Sequence, residues 1–339
     1  MRNRLTGLRP SMSEPLVSIL IPAHNAALWL ADTLRSALAQ TWPRKEIVVV
    51  ENGSTDATYQ IAQSFLDRGV KVLSMPVANA AAARNHAFAV SSGDFIQYLD
   101  ADDLISPRKI EVQLGQLNDG EPSLSISARS EFFDGEDPRS AAVQREWPCV
   151  PSQDPTTWLS ELLGAGGSGG FVALHQWVSP RSLVQQAGPW NENLTVNDDG
   201  EFFARVVLLA RDIRTAPDQV AYYRRHRTAR NLSAAFRRDR RHIASLLHAT
   251  DLIAEHLLGV RDEPQIHRAF ARHYYECAIA AFPLHPAISR IAEKKALSHN
   301  PQALPPPPTS RSAAFVRRLT CWRGERLLAS IATFHRKCP

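Results

Sequence analysis

Through the first third of the chain, short apolar runs alternate with helical stripes. Residues 16–21, 46–50, 70–75 and 95–99 are rich in β-branched, aliphatic and aromatic side chains, the composition of buried strands. Between them, residues 26–40 set Leu30, Leu34, Ala37 and Leu38 on one helical face. The polar stretch 51–56 opens a second helix toward Asp67, and 80–90 is an Ala-rich helix carrying Arg84 and Asn85. Pro22 is expected to stop the first strand, and Asn25 to cap the helix after it. Alternating strand and helix predicts a parallel, twisted sheet covered by helices. The near-continuous apolar strands agree, because both faces of such a sheet are buried.

Beyond Pro107 the pattern thins. Residues 109–117 read as a helix, 124–128 as a strand, and 131–154 as a polar, irregular excursion. The glycine-rich stretch 164–170 reads as a flexible connector, or as a mobile cover over an acceptor. Residues 219–223 form another strand, and from Arg237 onward the spacing of Ile243, Leu246, Leu247, Leu252 and Ile253 is helical. The expected organisation is a disordered leader (1–14), a main domain (15–232, halves 15–115 and 116–232), a helical extension (233–303), and a Pro-rich spacer with a basic amphipathic helix (304–339).

In sheets of this kind ligands bind beyond the carboxyl ends of the strands. Three polar turns lie there: His24-Asn25, residues 51–56, and Asp100-Ala101-Asp102-Asp103. The last packs three carboxylates into four positions, a repulsive cluster unless a cation sits among them. Mg²⁺ or Mn²⁺, held by one or two carboxylates and substrate phosphates, is the natural candidate. Residues i and i+2 of extended chain point the same way, so Asp100 and Asp102 can face one site. The plainer alternative is a solvated acidic loop before the next helix. A second constellation, Asn197-Asp198-Asp199-Gly200-Glu201, precedes Arg205 on a helical pattern. Alone it reads equally as an acidic helix N-terminus, which the helix dipole favours.

Composition narrows the classes. The hydrophobic share of 44% suits a globular core. No apolar run reaches 18 residues, so no spanning helix or secretory signal is expected. Cys149, Cys277, Cys321 and Cys338 are scattered, which fits a reducing, cytoplasmic setting rather than a disulfide framework. The net charge of +5 is concentrated in two patches, 224–241 and 311–339. The second is interleaved with Phe315, Leu319, Trp322, Leu327, Leu328, Ile331 and Phe334; it either docks on the main domain or lies on anionic membrane. No nucleic-acid readout motif accompanies the first, so no nucleic-acid partner is expected.

Val17-Ser18-Ile19-Leu20-Ile21-Pro22-Ala23-His24-Asn25, the 46–56 turn, Ala83-Arg84-Asn85 and Leu99-Asp100-Ala101-Asp102-Asp103 together resemble a family 2 glycosyltransferase. The resemblance is dense over residues 15–115. It implies an α/β fold of GT-A type, a Rossmann-like, mostly parallel sheet flanked by helices, here with a C-terminal helical extension. It implies transfer, with inversion, from a nucleotide-sugar, expected to be a UDP-sugar, to a carbohydrate or lipid-linked hydroxyl in cell-envelope polysaccharide synthesis. Donor contacts are expected from Pro22, Ala23, Asn25, Glu51, Asn52, Ser54, Arg84, Asp100, Ala101, Asp102 and Arg224. The Asp-x-Asp (DXD) motif implies Mn²⁺ or Mg²⁺ on Asp102, with Asp100 and His226 beside it. Asp199, six positions before Arg205, falls at the catalytic base, and Ser233 at a hydroxyl that follows the Tyr223-Arg224-Arg225-His226 segment. Two positions depart from the family: Glu51-Asn52 stands where Asp-Asp is common, and Asn79 where Gly is common. The rival readings are a nucleotidyltransferase, whose glycine-rich basic loop is absent after the first strand, and a catalytically silent nucleotide-sugar-binding module.

Overall fold

The computed structural model describes residues 14–117, 120–167, 169–226, 239–303 and 322–323. Strands β1 (Val17–Ala23), β2 (Lys45–Asn52), β3 (Val70–Met75) and β4 (Phe95–Tyr98) pair in parallel in the order β3-β2-β1-β4. Helices α1 (Leu30–Leu38), α2 (Thr58–Gln63) and α3 (Ala80–Val90) connect them. The two-residue strand β5 (Leu104–Ile105) and helix α4 (Lys109–Gln116) follow. The sheet then continues through β6 (Leu124–Phe133), β7 (Val143–Gln144), β8 (Trp177–Pro180) and β9 (Ile213–Arg225), with α5 (Pro155–Leu162), α6 (Arg181–Ala187) and α7 (Asp198–Leu209) between them. Here β8 runs antiparallel to β4 and β6, β9 parallel to β6, and β5 antiparallel to β9. Helices α8 (Arg240–Val260), α9 (Pro264–Ala281) and α10 (Pro286–His299) form the extension.

The period-2 alternation of strands sends side chains to two cores. Val17, Ile19 and Ile21 pack with Leu30 and Leu34 of α1 and Ile110 of α4. Leu20, Val48, Ile96 and Tyr98 face α3, Trp190, Phe202 of α7 and the helices of the extension. The extension is therefore continuous with the main core. Helix α8 reaches the length and mean hydropathy (1.2) of a membrane-crossing helix, but Ile243, Leu247, Ile253 and Leu257 are buried in this core.

Several local expectations are corrected. Strand β1 does not stop at Pro22, which pairs with Val50 of β2. The β4 ladder ends at Leu20, so the proline's missing N–H falls on an unpaired flank. Asn25 does not cap α1. Its φ is +49°, and its side-chain oxygen accepts the Thr55 N–H at 2.8 Å, leaving α1 to begin at Leu30. Asn79 keeps an extended backbone and caps α3, accepting the Ala82 N–H at 3.0 Å. Strand β6 runs on to Phe133, three residues into the stretch read as irregular.

The glycine-rich turn is braced rather than loose. Arg272 of α9 donates to the carbonyls of Leu163, Gly164 and Gly167, and His273 lies 2.8 Å from the Leu163 carbonyl. Gly164 has φ +90°, and a Cβ there would fall 1.5 Å from an Arg272 nitrogen. Trp322 is buried edge-on against Phe282 at 5.8 Å and donates to Glu293, so this residue of the basic segment faces the bundle. Residues 1–13 of the leader, Ser233 and the remainder of 304–339 lie outside the described residues.

Candidate active site

The first wall of the cleft is built where β1 and β2 end. The Asn25 N–H donates to Ser54 Oγ at 3.0 Å, and His24 Nδ1 lies 2.9 Å from the Asn52 carbonyl. Glu51 is 5% exposed, with one carboxylate oxygen accepting the Ser54 N–H and the other the Ser74 hydroxyl at 2.7 Å. Burial pushes the Glu51 carboxyl up, but these bonds and the nearby His24 outweigh it and hold it below the usual range. Glu51 thus organises the turn from within. Asn52 Oδ1 is buried without a hydrogen-bond partner among the described residues. Pro22 and Ala23 complete this end of β1 beside Val50 and Glu51. The Ala101 carbonyl is fixed by the Thr33 hydroxyl at 2.9 Å.

Arg84 joins two acidic motifs far apart in sequence. Its guanidinium is 5% exposed and donates to Asp100 Oδ1 at 2.9 Å and to Asp198 Oδ2 at 2.7 Å. It also lies over the Trp190 ring at 4.5 Å, and Trp190 stacks on Phe202 of α7 at 4.1 Å. Asp199, the second residue of α7, lies beside this pair, its Oδ1 accepting the Gly200 N–H at 2.9 Å. Burial and the charge of Asp198 push the Asp199 carboxyl up to about 7, against the pull of Arg84. Burial likewise raises Asp100, with Arg84 opposing and Asp102 reinforcing.

The opposite wall gathers around His226. Its Nε2 lies 2.7 Å from Asp102 Oδ2 and its Nδ1 3.1 Å from Asp134 Oδ2. The ring packs on Trp29 at 4.3 Å, and Trp29 Nε1 donates to Asp134 at 3.0 Å. The two carboxylates raise the His226 pKa, Asp102 contributing most, against partial desolvation. Arg224 reaches the same turn: its Nε donates to the Asp102 carbonyl and its N–H to Asp103 Oδ1, both at 2.7 Å. Asp103 is 1% exposed and lies 3.2 Å from buried His175.

A carboxylate oxygen and an imidazole nitrogen side by side suit a divalent cation that completes its shell elsewhere. Among the described residues no group of three or more His, Cys, Asp or Glu forms a cage. The residues thus fit Mn²⁺ or Mg²⁺, with Asp102 and His226 as donors and Asp100 engaged by Arg84. Trp29, Asp134, Asp198 and Trp190 were not singled out as site residues from the sequence. Trp29 is the N-cap residue just before α1, and Asp134 comes from the stretch read as irregular. The closeness of Asp198 to Asp199 was the available signal for the Arg84 bridge.

A parallel half-sheet ending in paired carboxylates, joined through β8 to a second half that carries an acidic helix start, defines a GT-A fold. Residues 18–171 match the family described as glycosyl transferase family 2. An Escherichia coli relative, UDP-Glc:alpha-D-GlcNAc-diphosphoundecaprenol beta-1,3-glucosyltransferase, is 36% identical over 107 residues, 31% of this chain and 42% of the relative. The TarS 1–349 structure from S. aureus in complex with UDP-GlcNAc superposes with TM-score 0.56 at 17% identity, covering 84% of this chain and 92% of that one. A mannosyltransferase from Pyrobaculum calidifontis in complex with GDP-Man and Mn²⁺ gives TM-score 0.53 at 18% identity, covering 96% and 88%. The chain spans 35–42% of the length of the first curated relatives it matches.

Proposed function

We propose that the protein transfers a sugar from a nucleotide-sugar, a UDP-sugar in the first instance, to a hydroxyl of a glycan or lipid-linked precursor of the cell envelope, with inversion. The supporting observation is the Arg84 fork, which ties Asp100 of the donor half to Asp198 at the head of α7. One cleft then holds both the groups for a diphosphate and a carboxylate for the attacking hydroxyl. UDP-sugars are favoured because the E. coli relative's name specifies UDP-Glc and TarS binds UDP-GlcNAc. The nucleoside end of the donor would lie along Pro22, Ala23, Asn25, Glu51, Asn52 and Ser54. The work is assigned to the cytoplasm, at the inner face of the membrane when the acceptor is lipid-linked.

Asp199 serves as general base. It takes the proton from the acceptor hydroxyl as that oxygen attacks the anomeric carbon from the face opposite the leaving group. A positioned base contributes on the order of 10²–10⁴-fold, and one titrating near neutrality is suited to the task. Arg84 holds Asp198 and Asp100 apart and neutralises part of their charge, so that Asp199 can ionise beside them. Arg224 fixes the Asp102 backbone and sets the angle of the Asp-Ala-Asp turn. Mn²⁺ or Mg²⁺ bound at Asp102 and His226 would supply Lewis-acid stabilisation of the diphosphate leaving group. Asp100 and Ala101 line that side of the turn.

The test is a panel of UDP- and GDP-sugars with Mn²⁺ and glycan or lipid-linked acceptors. Transfer is expected, lost in Asp199→Asn while the melting-point rise with UDP and Mn²⁺ persists. If no nucleoside diphosphate raises the melting point, with or without Mn²⁺, the reading is wrong.

A further inference from the structure

We propose that Phe171 and Tyr223 form a stacking platform for a sugar ring of the acceptor, which makes the acceptor a saccharide at the point of contact. This inference rests on the glycosyl-transfer reading and specifies the other substrate of the same cleft.

Phe171 follows the braced glycine turn and is 46% exposed. It is held from two sides. The Arg129 guanidinium covers its ring at 4.8 Å, and Tyr223 meets it edge-on at 5.9 Å and 78°. Arg129 is itself fixed, donating to Glu131 at 2.8 Å and to Gln144 at 2.7 Å. The pairing of β6 with β9 sets Glu131 opposite Tyr223, and alternation brings Arg129, Glu131, Tyr223 and Arg225 to one face. Behind Tyr223 lies His175, parallel to it at 6.3 Å and 3.2 Å from Asp103. An aromatic line thus runs from the Asp-Ala-Asp-Asp turn to the surface. Burial and the charges of Asp103, Asp100 and Asp102 push the Tyr223 phenol up to about 12, so it remains a hydroxyl donor in the field of the catalytic turn.

A pyranose ring presents an apolar C–H face and a polar equator. It matches an aromatic face rimmed by charged and hydrogen-bonding groups. A lipid chain would need an extended apolar wall, and here the ring is bordered by Arg129, Glu131 and Arg225. A nucleoside base belongs to the far wall, at the ends of β1 and β2. The ring's restraint by Arg129 and Tyr223 also lowers the ordering cost of binding.

The experiment is saturation-transfer NMR with methyl β-glucopyranoside and methyl N-acetyl-β-glucosaminide on the full chain loaded with UDP and Mn²⁺. Saturation is expected on ring C–H protons. It should fall on the order of tenfold in Phe171→Ala, the limit of what one aromatic contact supplies, and persist in Phe171→Trp. The melting-point rise with UDP and Mn²⁺, recorded on the same samples, reports that the donor cleft is formed. If the donor shift is present but neither glycoside is saturated, or saturation is equal in Phe171→Ala, the platform is refuted and the transferase reading stands. If wild type shows no shift with UDP or any other nucleoside diphosphate, the transferase reading fails and the platform with it.

Discussion

Asp199→Asn separates what the carboxylate does for turnover from what it does to stability. In the folded protein the carboxyl is held near 7 by burial and by Asp198, whereas an unfolded chain would titrate it near 4. The folded state therefore keeps the proton longer. Its stabilising share is complete below about pH 4 and is lost as pH rises through about 7. The gap of about 3 units caps the cost of ionising in place at ~4 kcal/mol. Coupling to Asp198 and partial exposure reduce this to about 2 kcal/mol. Asparagine keeps the shape without the charge. The variant should match wild type near pH 4.5 and be more stable by about 2 kcal/mol at pH 8.5, while turnover falls on the order of 10²–10⁴-fold. Denaturant melts of both proteins across this range measure the first effect, and initial rates with saturating donor the second. A stability difference that stays flat with pH would refute the desolvation of Asp199. Rates within threefold of wild type would refute its role as base.

Other perturbations probe the remaining contacts. The wild-type rate should show an acid limb near pH 7, set by Asp199, in a kcat–pH profile. Arg84→Ala leaves Asp100 and Asp198 facing each other unpaired and should cost about 3–5 kcal/mol, read by urea unfolding at pH 8. Asp134→Asn removes one of the two carboxylates that raise His226. In chelated protein the His226 NMR titration should move down, and the stability tied to its protonated form should be lost at a lower pH. Asp102→Ala should abolish the Mn²⁺-dependent part of the melting shift with UDP; an undiminished Mn²⁺ dependence would remove Asp102 from the metal. Gly164→Ala forces a side chain into a left-handed position against Arg272 and should destabilise by about 1–3 kcal/mol, measured by thermal unfolding.

The parts of the site carried by contiguous residues were legible in the sequence. The Asp100–Asp103 turn follows a strand whose composition declares it buried. The count back from Arg205 picks out Asp199 as the base that the family resemblance implies and that is proposed above. The positions of β3 and α3 follow from local pattern alone, because each is a clean apolar run or an Ala-rich stretch between turn residues. Convergence was not legible. Nothing local tells Trp29, on a helix read only for its apolar stripe, that it will pack on His226 and bond Asp134. Glu51 reads as a free carboxylate at a strand end, but its surroundings turn it inward onto Ser54 and Ser74. Pro22 looks like a terminator until the register of β4 shows that the flank it spoils has no partner. Each of these depends on which strand ends where, a tertiary fact that single-sequence patterns do not encode.

Arg272 reaches out of the C-terminal bundle and props the segment leading to Phe171. The bundle is thus more than ballast behind the catalytic half. Trimming the chain after β9 would remove the strut from the segment before Phe171 and also strip Leu20, Val48 and Ile96 of the helices that share their core. Substitutions in α9 at Arg272 therefore perturb the proposed acceptor platform from a distance, and should leave the UDP-dependent melting shift in place.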